Sequence, residues 1–233
     1  AAIASAETLT EVEDIYRPYK QKRKTRATVA AAKGLEPLAD ILLAQNVTTG
    51  TAESLAKPFV IADKGVNDVK DALSGAEDII AERVSDDAEL RKKLRRIYLK
   101  NAEITTKLTK SEDDAAKTYE MYADYGESVA DIKPHRVLAI NRGESEGYLK
   151  VKISVDEAFA IRVCETFFLK EGSVTTANVK TAVADAYKRL IQPSIEREVR
   201  SYLTENAQEQ AIKMFDVNLR PLLMQPPVKD KVT

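Results

Sequence analysis

Apolar residues recur at three- and four-residue spacing through the last third of this chain, at Ile195, Val199, Tyr202, Leu203, Ala207, Ala211, Met214, Phe215 and Leu219. That period, held over so many turns, predicts one long amphipathic helix along which other segments can dock. Val179, Val183, Ala186, Tyr187 and Leu190 predict a second helix just before it. Pro193 is expected to interrupt the two, because an interior proline lacks a backbone donor and its ring clashes with the preceding turn. Pro221, Pro226 and Pro227 are expected to end the long helix in an extended tail.

The same period appears in most of the chain. Only eight of the 233 residues are glycine and eight are proline, so a mainly α, multi-helical fold is expected. A helix is predicted from Thr8 to Tyr16, ended by Pro18, and a short one from Thr28 to Lys33, closed by Gly34. Pro37 suits the first turn of the next helix, with Leu38, Ile41 and Leu42 as its core stripe. Helix, glycine turn and helix together give a helix-turn-helix-like outline, which most αα-hairpins share without reading DNA. Val69, Leu73, Ile79 and Ile80 mark a helix over 66–84 that Gly75 weakens in its middle. Ser85 is expected to cap the following helix, whose stripe is Leu90, Leu94, Ile97 and Tyr98.

One β signal stands out. Val137 to Ile140 and Tyr148 to Ile153 read as two strands of a small β-hairpin joined through Arg142, Gly143 and Glu144. In the second strand Leu149, Val151 and Ile153 form an apolar face, while Tyr148, Lys150 and Lys152 form a wet, partly basic one. Gly143 is expected to allow a tight turn, with Arg142 and Glu144 pairing to neighbouring helices; base reading by Arg142 is the other possibility. A short strand over Ile104–Thr109 could join them.

Net charge is −1, so attraction to a polyanion must come from patches. The stretch Tyr16 to Arg26 is such a patch. It holds Arg17, Lys20, Lys22, Arg23, Lys24 and Arg26 with no carboxylate, and Tyr16 and Tyr19 offer flat surfaces for unpaired bases. It reads either as a contact for RNA or DNA or as a solvated connector. A second cluster, Arg91, Lys92, Lys93, Arg95, Arg96 and Lys100, lies opposite an apolar stripe, after Asp86, Asp87 and Glu89, an order that also suits the helix dipole.

Chemistry-bearing residues are scarce. With one histidine and one cysteine, no Cys/His metal cluster can be assembled. There is no Gly-rich phosphate loop and no dinucleotide fingerprint. His135 follows Pro134 at the lip of an expected strand and is read as structural. The chain is expected to be non-enzymatic, with no cofactor, no metal and no small-molecule substrate. Cys164 alone fits a reducing cytoplasm. No apolar run approaches the roughly 20 residues needed to cross a bilayer, and the opening Ala1 to Ala6 lacks the basic start of a secretory signal.

Several segments, in order, carry a family resemblance. They are Leu9 to Lys20 with Lys22 to Arg26; Lys33 to Asp40; Ala72 to Glu82, reading ALSGAEDIIAE; Pro134 to Glu144, reading PHRVLAINRGE; Tyr187 to Ile195; and Phe215, Asn218 to Arg220 and Pro226-Pro227. The chain thereby resembles the Tex family of bacterial transcription accessory proteins, related to the eukaryotic elongation factor with a tandem SH2 module. The resemblance implies an excised helical region, followed in the family by an RNase H-like domain, helix-hairpin-helix elements and an RNA-binding OB-fold. It also implies that the whole protein binds nucleic acid with little sequence preference.

Three regions are expected: 1–115, with the basic connector and helix-turn-helix-like hairpin; 116–174, a helix and small β-hairpin; and 175–233, the long helical segment. The expected function is non-enzymatic, weak nucleic-acid binding through Arg17, Lys20, Lys22, Arg23, Lys24 and Arg26. The alternative is a protein scaffold that docks further domains or the transcription machinery without touching nucleic acid.

Overall fold

A computed structural model describes residues 9–20, 24–109 and 114–225. Two units compose it, each from two stretches of chain: Ala1–Ile97 with Val155–Ile195, and Tyr98–Ser154 with Glu196–Thr233. Among the described residues the chain is mainly helical, with one small antiparallel sheet.

The first unit is built around α5 (Val69–Ser85). On it pack α2 (Arg26–Ala32), α3 (Glu36–Ala44), α4 (Ala52–Ala56) and α9 (Thr176–Asp185). Ala72, Ala76 and Ile80 are wholly buried on α5, as are Leu38 and Leu42 on α3; each such Leu or Ile contributes about 1.5–3 kcal/mol. Gly75 is a packing device in this helix: a Cβ there would lie 2.4 Å from Leu35 Cδ1 and 3.3 Å from the Ala30 Cβ. The glycine that costs α5 propensity is what lets α2 lie close against it. At the end of α3, Gln45 takes a left-handed conformation, φ 52°. Its buried amide donates to the Phe168 carbonyl at 2.7 Å and accepts from the Lys170 N–H at 2.9 Å, tying α3 to the end of α8 (Glu157–Phe168).

Asp87, not Ser85, caps α6 (Ala88–Asn101): the Leu90 N–H donates to Asp87 Oδ1 at 2.7 Å. Ser85 lies inside α5 and donates to the Glu82 carbonyl. Pro193 does not interrupt the final helices either. A π-helical turn, Ala186–Ile191, joins α9 to α10 (Gln192–Leu223), giving 48 continuous helical residues. The wider turn re-registers the backbone just upstream of Pro193 and so absorbs the missing donor and the ring. Pro221 likewise lies within α10.

The second unit holds the sheet, in the order β2 (Asp124–Ser128), β1 (Glu103–Leu108), β3 (Leu149–Ser154), antiparallel throughout. Ile104 faces Ile153, and Leu108 faces Leu149, on the buried side; Thr105 faces Lys152, and Lys107 faces Lys150, on the wet side. The alternation expected for 148–153 holds, and the partner of β3 is β1. Val137 to Ile140, expected as a strand, is helical instead, within α7 (Pro134–Ser145). Pro134 supplies a first-turn φ, and Val137 and Ile140 are buried three residues apart, the helical spacing. Gly143 is therefore no turn residue. It faces Leu149 and Tyr119, whose atoms would lie 2.7 Å and 2.8 Å from a Cβ. Arg142 pairs with Glu146, the C-cap of its own helix, at 2.9 Å, whereas Glu144 does reach a neighbouring helix, through Arg200 of α10 at 3.0 Å.

Candidate nucleic-acid interface

The basic stretch hangs from α1 (Leu9–Tyr16), which is anchored by a buried charge cluster. Asp14 accepts from Arg91 Nε at 2.7 Å and from Arg95 Nη2 at 2.6 Å. Arg91 is fully buried and also donates to Ser194 Oγ at 3.0 Å. Glu11 pairs with Lys92 at 2.8 Å. The expected basic face of α6 is thus divided. Arg91 lies in the core and Arg95 turns inward, both to Asp14, while Lys93, Arg96 and Lys100 are exposed.

The same division holds across the predicted site. Arg17 opens a 3-10 turn, Arg17–Tyr19, and pairs with Asp86 at 3.3 Å, so its side chain is turned partly toward the fold. Tyr16, Tyr19 and Lys20 are exposed, Tyr19 at 78%. Lys22 and Arg23 lie outside the described residues. Lys24 and Arg26 are exposed on either side of Thr25, which caps α2: the Thr28 N–H donates to Thr25 Oγ1 at 3.1 Å, and the Thr25 N–H to Thr28 Oγ1 at 2.8 Å. This reciprocal box fixes where both cations leave the chain. Arg26 then occupies the helix end that disfavours positive charge, with no acid in that first turn.

Lys24, Thr25 and Arg26 line a groove of about 610 Å³ whose floor includes Val29, Ala30, Leu35 and Gly75. The fold brings Lys33 to the same groove, where its Nζ donates to the Gly65 carbonyl at 2.8 Å. Lys64 approaches nearby, its Nζ 3.4 Å from where a Cβ of Gly34 would lie. Lys33 was legible in principle, being seven residues after Arg26 and so on one face of α2; Lys64 ends a short 3-10 turn, Ala62–Lys64, distant in sequence. Asp71 and Asp78 oppose these cations from α5. Burial pushes the Asp78 carboxyl up, and Arg189, 3.1 Å away, and Arg26 pull against it. Beside it, burial also pushes Glu77 up, against a hydrogen bond from Asn178 at 2.8 Å.

The helix-turn-helix-like outline is present as α2, Gly34 and α3. The exposed positions of α3 are Glu36, Pro37, Asp40 and Ile41, and Asp40 pairs with Arg83. A face bearing two carboxylates repels phosphate, so α3 is a poor reading helix. His135 is exposed in the first turn of α7. Cys164 is buried and its thiol is pushed up to about 12 by burial, so it stays protonated at neutral pH. No helix among the described residues is long and apolar enough to cross a membrane.

Residues 48–215 match the family model described as Tex central region-like. Among curated relatives, the Bacillus subtilis protein YdcI is 47% identical over 96% of this chain and 31% of its own length. Protein tex of Bordetella pertussis is 32% identical over 98% of the chain and 30% of its length. The transcriptional accessory protein Tex of Neisseria gonorrhoeae is 32% identical over 97% of the chain and 30% of its length. The chain therefore spans about a third of the length of the relatives it matches.

Proposed function

The chain belongs to the Tex family, whose central region it matches, and from that premise we propose that it serves a transcription accessory protein as a weak, sequence-tolerant contact for nucleic acid. The observation that carries this reading is the exposure of Tyr19, Lys20, Lys24 and Arg26, with Lys24, Arg26 and Lys33 converging on one groove. Cations placed this way displace condensed counterions from a phosphate backbone, and an exposed tyrosine adds sequence-tolerant stacking. Asp71 and Asp78 at the groove temper the field, which keeps the contact weak. Phosphate contacts position a strand without reading it, so preference among sequences is small.

The test is fluorescence anisotropy with single-stranded RNA and duplex DNA across a salt series. Changing Lys20, Lys24 and Arg26 together to Gln should lower affinity equally across sequences. It should also reduce the slope of log affinity against log salt by about 2 for single strands, at roughly 0.7 per lost phosphate contact. Unchanged affinity and slope would leave the basic turn a solvated connector.

A second reading, a protein scaffold, is favoured by the far end of α10. Ile212, Phe215, Leu219 and Leu222 follow a three-four-three spacing, and Ile212, Phe215 and Leu222 are each more than 60% exposed. That is the seam a partner helix would cover. On this reading the chain binds purified bacterial RNA polymerase, and Ile212→Glu with Phe215→Glu removes that binding while leaving nucleic-acid affinity untouched.

A further inference from the structure

The wet face of the sheet carries a charge pattern that the fold does not use. Lys107 of β1 stands directly opposite Lys150 of β3, and Lys152 follows two residues along. All three are exposed and make no ion pair among the described residues. Like charges placed opposite one another destabilise a sheet, a cost that the opposite charge of Asp124 on the other side of Lys107 offsets for that lysine alone, not for Lys150 and Lys152. The carboxylates of the same face collect on the other side. Asp124 faces Lys107 from β2, and the Glu103 carboxylate lies over Gly126, 2.4 Å from where a Cβ would be. Lys107 and Asp124 are direct cross-strand neighbours, and Thr105 and Gly126 form the next pair along that face, so the surface is shallow there.

We propose that this face docks the phosphate backbone of a single-stranded nucleic acid along the row Lys107, Lys150 and Lys152. Two residues along β3 advance about 6.6 Å, so Lys150 and Lys152 meet successive acceptors on an extended polyanion rather than one small anion. An acidic peptide is the poorer occupant. Peptides usually join a sheet at its edge through backbone hydrogen bonds, and on β3 the Ile153 N–H is already taken by the Glu196 carboxylate at 2.9 Å. Nucleic-acid strands lie across sheet faces instead. Tyr148, two residues before Lys150 on the same alternation, is stacked on Tyr119 at 5.7 Å, and the paired register of Glu103, Thr105, Lys107, Lys150 and Lys152 holds no further aromatic, so the contact is made chiefly to phosphate and does not select bases. This surface shares a ligand class with the basic turn but no residue, and the two can fail separately.

The probe is a fluorescein-labelled oligouridylate, titrated with the 233-residue chain at salt between roughly 50 and 200 mM. Changing Lys107, Lys150 and Lys152 together to Gln should flatten the slope by about 2, so the variant's affinity falls by roughly tenfold less than the parent's over that range. The paired change Glu103→Gln and Asp124→Asn should raise affinity, a direction that damage to the fold would not produce. An unaltered slope in the lysine variant overturns the proposal, whatever happens at Lys20, Lys24 and Arg26. A loss in the lysine variant with none in the Lys20, Lys24 and Arg26 variant supports the sheet face and sinks the basic-turn reading. Binding of labelled polyglutamate that depends on the three lysines, with oligouridylate binding unaffected, overturns the proposal in favour of an acidic protein partner.

Discussion

Replacing Asp14 with Ala should be among the most damaging single changes in the first unit. Asp14 is 4% exposed and Arg91 is fully buried. Between them runs a 2.7 Å hydrogen-bonded ion pair, with Arg95 on the second carboxylate oxygen at 2.6 Å. Two unit charges about 4 Å apart attract by about 4 kcal/mol at an effective dielectric constant of 20. Removing the carboxylate forfeits that and leaves the guanidinium of Arg91 in the core without its Asp14 partner; Ser194 at 3.0 Å and a long 3.4 Å contact to the Ser85 carbonyl are among the contacts it keeps. Arg95, still partly exposed, can turn to water. The expected loss is about 3–5 kcal/mol, the range for breaking a buried pair from one side. Urea denaturation followed by far-ultraviolet circular dichroism reads it directly: with a slope of about 3 kcal/mol per molar, the midpoint should fall by roughly 1–2 M. Ser194→Ala removes one hydrogen bond to a charged group and should cost less, about 1.5–3 kcal/mol. The paired change Asp14→Leu with Arg91→Met removes both charges and should recover most of the loss of Asp14→Leu alone, since apolar replacement of a whole buried pair is often neutral. A midpoint shift under roughly 0.3 M for Asp14→Ala, or a double variant no better than the single, would refute the account of this cluster as a desolvated, mutually dependent pair.

Two further outcomes are expected from stability measurements. Gly143→Ala gains about 1 kcal/mol of helix propensity but drives a methyl to within 3 Å of Leu149 and Tyr119. A net loss of about 1–2 kcal/mol in urea denaturation should follow, and a stabilised variant would mean the site has room. Glu77→Gln should change the pH dependence of stability. Burial, aided by the neighbouring charges of Asp78 and Asp185, raises the folded carboxyl above its ordinary value of 4.5, so the folded state holds its proton to higher pH than the unfolded chain does. The penalty is therefore absent below the unfolded pKa and grows as pH rises through the folded one. The variant should gain on the parent as pH rises above the ordinary carboxyl value of 4.5, and urea midpoints that move in parallel over that rise would count against it.

What the residues disclosed, and what they did not, follows the reach of the forces involved. Helices α5 and α6 were legible because a buried stripe at 3.6-residue period needs only local phase. Val137 to Ile140 reads as a strand because four consecutive apolar residues have no phase; Pro134 before them was the signal for α7, while Gly143, interior to that helix, pointed away from it. Pro193 obeyed its local rule only until a π turn, which no residue type announces, changed the backbone upstream. Arg91 is the instructive case for the site. It was grouped with surface cations by charge, yet it stands three residues before Leu94 and seven before Tyr98, both buried, and so lies on the apolar stripe itself. Helical phase, rather than charge density, decided which cations of this chain became structural. Applied to the basic stretch, the same criterion separates its members. Arg17 follows the buried face of α1 into a turn and finds Asp86. Lys24 and Arg26 flank a capping residue, where the chain is turning and no stripe exists to draw them inward. Their charge stays with solvent because local capping leaves it nowhere else to go, and Lys33 joins them because it shares the face of α2 that Arg26 begins.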